Sequence, residues 1–125
     1  GATVNKVVNA KNNNVVVWGK GDEGRDLLYI DDLINFVELA IRNQKSKFGL
    51  YNVGYGKLIS INNLVKKIIK KSGKKLKIVN DLTKKSLKNS VFLNCSKARK
   101  EIKWKRKILL DQGIEKTLKW YLKNY

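Results

Sequence analysis

Six residues that follow a short β-branched run, Gly19-Lys20-Gly21-Asp22-Glu23-Gly24, spell G-x-G-x-x-G, the spacing that lets backbone amides cradle a dinucleotide pyrophosphate. Their chemistry points the other way. A phosphate cradle needs bare N–H groups opening directly into a helix. Here Asp22 and Glu23 would repel the anion, and Arg25-Asp26-Leu27-Leu28-Tyr29-Ile30 carries no helical period. The loop reads as a flexible turn. Asp31 and Asp32 are adjacent, so they point to different faces, and capping the next helix accounts for one of them. Tyr29, Tyr51 and Tyr55 have no lysine four residues on, which excludes a Tyr-x-x-x-Lys acid–base pair. Cys95 is the single cysteine in a chain without histidine, so it reads as a core thiol rather than an activated nucleophile. Trp18 and Arg25 make the more useful pair. An indole face can pack on a nucleobase, and a guanidinium can fork onto a diphosphate. The plainer alternative is a buried tryptophan and a surface Arg25–Asp26 pair.

The elements that must position these residues alternate in type. Val4, Val7 and Val8 mark a helix over 3–10, Asn12-Asn13-Asn14 a turn, and Val15-Val16-Val17-Trp18 a buried strand. After the glycine loop and an extended stretch, a helix capped by Asp31 or Asp32 carries Leu33, Phe36, Val37, Ala40 and Ile41 inward and ends near Asn43. Leu50-Tyr51-Asn52-Val53 reads as a strand closed by Gly54 and Gly56. Ser60 caps a helix with Ile61, Leu64, Val65, Ile68 and Ile69 on its apolar face, which Gly73 stops. Residues 76–79 alternate as a strand with one wet face, and 91–93 form a short strand. Helices follow over 96–103, from a serine cap, and over 111–121, with Ile114, Leu118 and Tyr121 inward. Short strands alternating with helices give an α/β fold.

The 125 residues suffice for one domain with its own core, 1–125. No apolar run approaches the roughly 18 residues of a membrane span, and no membrane partner is expected. Without methionine, Gly1 is expected to follow a processing or cloning point in a longer chain. One cysteine suits a reducing cytoplasm, and the lack of histidine removes the usual zinc sites and triads. The net charge of +18 tempts one toward nucleic acid. Its distribution argues otherwise. Residues 1–56 hold 7 basic and 6 acidic side chains, and residues 57–125 hold 21 and 4, yet only four of the 28 cations are arginine. Arginine is the better residue for bidentate phosphate or base recognition. Most of the lysines read as solvated surface, and a basic nucleic-acid-binding module without enzymatic activity is the alternative function.

Taken in order, several segments resemble one family. Val15-Val16-Val17-Trp18-Gly19-Lys20-Gly21 followed by Arg25-Asp26-Leu27-Leu28-Tyr29-Ile30-Asp31-Asp32 is similar to the V-x-V-W-G-x-G … R-D-[FL]-[IL]-Y-V-D-D segment of the extended short-chain dehydrogenase/reductase family. Tyr51-Asn52-Val53-Gly54-Tyr55-Gly56 resembles its Y-N-[IV]-G-x-G strand, and Ile59-Ser60-Ile61 with Leu64 its x-S-I-x-x-L helix start. Ser96-Lys97-Ala98, Trp104-Lys105 and Gly113-Ile114 through Trp120-Tyr121 resemble its closing segments. Trp18, with Asp81-Leu82-Thr83-Lys84, looks most like the GDP-fucose synthase branch.

The resemblance implies the C-terminal, substrate-binding part of a Rossmann-type nucleotide-sugar epimerase, dehydratase or reductase. The cofactor loop and the Tyr-x-x-x-Lys pair of such enzymes lie upstream of the matched segment. NAD or NADP would then belong to the parent protein, and this chain alone is expected to bind neither and to be inactive. By the same resemblance Val17 and Trp18 match positions that contact the base, Arg25 the arginine that reaches the diphosphate, and Asn52 a strand-end asparagine near the site. The family's second cation before D-x-S-K is replaced by Lys88-Asn89-Ser90-Val91, which leaves Lys84 and Lys88 as candidates. Asn94 stands for the usual aspartate and Arg106 for a common proline. The implied partners are a nucleotide-diphosphate sugar, the absent Rossmann half, and a second copy of the chain in a homo-oligomer.

Overall fold

Valines spaced three apart bury one side of the first helix, α1 (Ala2–Val8), through Val4 and Val7. In the computed structural model, which describes residues 1–85 and 90–125, the chain continues through β1 (Asn14–Trp18), β2 (Gly24–Asp26), α2 (Ile30–Asn43), β3 (Leu58–Ser60), α3 (Ile61–Ser72), β4 (Lys77–Asp81), α4 (Ser96–Ile102) and α5 (Leu110–Asn124). β1 pairs in parallel with β4, from Asn14 opposite Lys77 to Trp18 opposite Asp81. β2 pairs antiparallel with β3, Arg25 lying opposite Ile59. The fold is α/β, with short strands between helices.

Two apolar clusters hold it. In the first, Val15 and Val17 of β1 pack with Val4 and Val7 of α1, Leu64, Val65 and Ile68 of α3, and Ile114 and Leu118 of α5. Full burial of such side chains is worth about 1.5–3 kcal/mol each. α3 forms where local chemistry dictates. The Ser60 hydroxyl accepts from Asn63 N at 3.3 Å, and Gly73, at φ 72°, turns the chain out of the helix. In the second cluster Trp104, Ile102, Ala98 and Cys95 are buried beneath Phe36, Leu39 and Ala40 of α2, with Tyr51 and Val53 alongside.

α2 departs from the sequence pattern in two respects. Neither aspartate caps it. Tyr29 occupies the cap position without a side-chain bond, and Asp31 and Asp32 fall in the first turn. Asp32 is 2% exposed, and its oxygens accept from Lys107 N at 2.8 Å and Ile108 N at 3.0 Å. The helix is also turned relative to the expected stripe. Phe36 and Ala40 face the second cluster, but Leu33, Val37 and Ile41 are exposed together with Ile30 and Ile34. α2 is apolar on more than one side, and only one side meets this chain.

The expected strand over 50–53 does not form. Those residues form no regular element, and Leu50 and Phe48 are exposed. A strand needs a neighbour to take its backbone groups, and no described strand runs beside this stretch. Likewise 91–93 makes only one bridge, Val91 to Arg25. The serine cap of α4 is displaced by one residue: Cys95 takes the cap position, and Asn94 Oδ1 accepts from Ser96 N at 3.0 Å.

Candidate functional site

Strand alternation decides which side of β1 meets solvent. Val17 is 4% exposed and points into the core, whereas Trp18 is 57% exposed and shares the outer face with Val16. Any contact Val17 makes with a ligand is therefore through its backbone. Val16, which the sequence reading passed over, is the side chain beside Trp18. Lys6 Nζ of α1 lies 5.2 Å from the Trp18 ring centroid, so the indole face already holds a cation.

The glycine loop after Trp18 is a pinned turn. Gly19 and Gly21 both take φ 66°, a left-handed conformation that glycine adopts freely. A Cβ on Gly21 would collide with the Asn62 side chain. Asn62 N donates to Gly21 O at 2.9 Å, and its side-chain amide donates to Lys20 O at 2.7 Å. The loop therefore anchors the start of α3 and leads into a strand, and its residues do not fit a pyrophosphate cradle for NAD or NADP. Among the described residues no group of three or more His, Cys, Asp or Glu is placed to hold a metal ion.

Arg25 sits on β2, its Nη1 donating to Gly24 O at 3.0 Å. The strand is tied down at the next residue, Asp26, whose carboxylate accepts from Tyr55 N at 2.5 Å, Gly56 N at 3.0 Å and Leu93 N at 3.0 Å. This side chain ties β2 to the 54–56 turn and to the stretch before α4, and a Cβ on Gly54 would press on it. The sequence signal was there in Gly54, which leaves room for the carboxylate, and in Gly56, which takes a positive φ, but nothing local pointed to Asp26. Beside Arg25, Ser90 Oγ accepts from Gly24 N at 2.7 Å.

Lys84 and Lys85 face the glycine loop across a cleft of about 870 Å³ that Lys20, Asp22, Glu23 and Ser90 also line, within the range of small-ligand sites. Lys84 is held there by a turn at the end of β4. The Asp81 carboxylate accepts from Thr83 Oγ1 at 2.6 Å and from Thr83 N at 3.0 Å, and Lys84 N donates to Asp81 O at 3.3 Å. The Thr83 hydroxyl bond holds Asp81 below the usual carboxylate range, with the Thr83 N–H and nearby Lys84 helping. The structure thus puts Trp18 and Lys84 on the two segments that continue the β1–β4 pair, with Arg25 one residue from Gly24 and its Ser90 partner. Asn52 is exposed in the stretch after α2 and does not line this cleft. Lys88 lies outside the described residues. Arg106 stacks on Tyr55, 3.8 Å from the ring centroid, away from the cleft lining.

Residues 2–117 match the model of the family described as GDP-mannose 4,6 dehydratase. The chain belongs to that family. It is 36% identical over 118 residues to a putative GDP-L-fucose synthase 2 of Arabidopsis thaliana, covering 92% of this chain and 35% of that protein. It is 31% identical to the GDP-L-fucose synthase of Escherichia coli K12, covering 89% and 37%. Among solved structures it superposes on a UDP-glucose 4-epimerase of Thermotoga maritima bound to UDP-glucose with TM-score 0.83 and 25% identity, covering 97% of this chain and 38% of that one. The dTDP-glucose 4,6-dehydratase of Bacillus anthracis in complex with NAD gives 0.79 and 25%, covering 98% and 38%. These family members are Rossmann-type nucleotide-sugar enzymes, and this chain spans little more than a third of their length. The family gives the nucleic-acid alternative no support. No helix among the described residues is long and apolar enough to cross a membrane.

Proposed function

We infer that the chain is the substrate side of an NAD(P)-linked nucleotide-sugar epimerase, dehydratase or reductase. Trp18 and Val16 carry the base, Arg25 reaches the diphosphate, and Lys84 supplies the second cation. The observation that carries this reading is the exposed Trp18 at the end of the strand whose next residues, Gly19 and Lys20, line a lysine-flanked cleft, within a fold shared with enzymes of this substrate class. Hydride chemistry falls to the part of the relatives that this chain does not span, so the 125 residues alone turn over no nucleotide-sugar.

The naked side of α2 supports the same division. Ile30, Leu33, Ile34, Val37 and Ile41 form an exposed apolar strip, and such strips mark surfaces covered by a partner. The NAD(P)-binding half is the proposed cover, and in its absence two copies of this chain pair through the strip. An amide NMR titration with GDP, UDP and dTDP tests the reading. Saturable shifts at Trp18 and Arg25 are expected, and a folded spectrum unmoved by all three nucleotides would defeat it.

A further inference from the structure

β4 is bonded on one side only. Lys77 N donates to Asn13 O at 2.8 Å, and Gly19 N donates to Asp81 O at 2.8 Å, both on the β1 side. Backbone groups of successive residues point to opposite sides of a strand. Ile78 and Asn80 therefore turn their N–H and C=O groups to an edge that has no strand partner among the described residues. A groove of about 570 Å³ lies between that edge and α3, lined by Lys66, Ile69 and Lys70 with Leu76, Lys77 and Ile78. Its three apolar residues are half-buried and its three lysines exposed. The lysines of α3 divide by face. Lys67 and Lys71 pair with Asp111 and Glu115 of α5 at 2.8 and 3.3 Å. Lys66 and Lys70, one position earlier in each case, make no ion pair among the described residues, and neither does Lys77. Like charges four residues apart on a helix repel one another, so the groove concentrates positive charge that this chain does not compensate.

We propose that β4 receives an acidic, extended segment of another protein as an added strand. Main-chain bonds to Ile78 and Asn80 hold the segment and set its register. Its carboxylates meet Lys66, Lys70 and Lys77, and its apolar side chains fall on Ile69, Leu76 and Ile78. Two other occupants fit less well. A second copy of this chain carries the same net charge of +18 and brings lysine against lysine, an arrangement that keeps edge strands apart. A nucleic acid answers the lysines, but its phosphates have no N–H to give the outward carbonyl groups of Ile78 and Asn80. The groove shares no lining residue with the cleft beside the glycine loop, so this surface is separate from the proposed nucleotide-sugar site.

The probe is a short fluorescein-labelled peptide that alternates glutamate and valine. Its comparators are the same peptide with glutamine for glutamate, the same peptide N-methylated throughout, and a single-stranded oligonucleotide. Fluorescence anisotropy with the 125-residue chain is expected to show saturable binding of the glutamate peptide and none of the N-methylated form. Exchanging glutamate for glutamine, or Lys66→Gln with Lys70→Gln in the protein, should weaken binding about twofold to thirtyfold, the range for two exposed charge pairs. Hydrogen exchange supplies a readout that needs no variant. On binding, the amides of Ile78 and Asn80 should slow, while that of Val79, which faces Val16 of β1, stays as it was. An N-methylated peptide or an oligonucleotide that binds as tightly as the glutamate peptide would reduce the surface to a polyanion patch and overturn the added strand. No binding of the glutamate peptide overturns it too, as does an exchange pattern that fails to single out 78 and 80. Protection of those two amides that grows with protein concentration in the absence of peptide would give the edge to a second copy instead.

Discussion

Asp32 joins the start of α2 to the segment that enters α5, and replacing it tests whether that joint holds the second cluster together. The carboxylate is 2% exposed and takes two backbone donors, Lys107 N at 2.8 Å and Ile108 N at 3.0 Å. Its own carbonyl accepts from Trp104 Nε1 at 2.9 Å, so the same residue also orients the largest buried side chain. Asp32→Ala leaves two inward N–H groups without an acceptor. Hydrogen bonds to a charged group contribute about 1.5–3 kcal/mol each, so the loss of two is about 3–6 kcal/mol. That is a large part of the 5–15 kcal/mol typical of a whole domain. Asp32→Asn keeps one acceptor oxygen but turns an amine toward the second N–H, so its loss should be almost as great. Urea denaturation followed by tryptophan fluorescence, to which the buried Trp104 contributes beside the exposed Trp18 and Trp120, measures both. With a slope of about 1–3 kcal/mol per molar urea, the midpoint should drop by about 1 M or more. A change below about 0.5 kcal/mol, the range of an indifferent surface substitution, would refute the joint as a stabilising element.

Four further outcomes are expected. Ile34→Lys with Ile41→Lys, at positions 51% and 80% exposed, should barely change the melting temperature yet abolish self-association in sedimentation velocity; unaltered association would remove α2 as the docking strip. Gly21→Ala should cost about 1–3 kcal/mol in chemical denaturation, because it adds a strained positive φ to a clash with Asn62. Lys84→Ala should weaken every nucleoside diphosphate severalfold without changing base preference, and equal affinity with and without that lysine would leave the diphosphate to Arg25. The last concerns pH. Asp81 is held below its usual range chiefly by the Thr83 hydroxyl, and Glu115 chiefly by its Lys119 bond and then by Lys71. A depressed folded value means that stability is present above the unfolded carboxylate range and is lost as pH falls through the folded value. NMR titration should therefore show the Thr83 amide and the Lys71 and Lys119 side chains shifting only below the range of free carboxylates; transitions at ordinary carboxylate pH would contradict both contacts.

Where the deciding interaction is local, the sequence was enough. Ser60, Gly73 and the 64, 65, 68 spacing define α3 within a dozen residues, and the bonds that cap it span three positions. Asp32 was misread because its partners lie 75 and 76 residues away, so near the start of a helix it looked like a cap. Four consecutive apolar residues, Val15 to Trp18, cannot reveal which of them face in, since period two fits either register. The sheet decides, and it gives Val17 to the core and Val16 to the surface. Trp18 and Arg25 enter as proposed site residues through the family pattern, whereas the tie that Asp26 makes to 55, 56 and 93 emerges only when the segments around it are in place.

The two largest departures from the sequence reading have one physical cause. Residues 50–53 have strand-like composition but stay unpaired, and α2 has apolar residues on the side away from its own core. A strand without a neighbour leaves its backbone polar groups to water, and an exposed isoleucine strip forgoes the burial that drives packing. Both features lie on the stretch from Ile30 to Val53, while the inward side chains of β1, α1, α3 and α5 are packed against one another. The described residues are therefore well packed around β1 and bare along the α2 side. A sheet edge that pairs with 50–53 while an apolar layer covers α2 would satisfy both at once, and the Rossmann half proposed above is the candidate for that role. If such a partner were supplied in trans, the amides of 51–53 should become protected from hydrogen exchange together with those of α2, and the β1–β4 pair should be unaffected. Protection of one without the other would mean that the two surfaces answer to different partners.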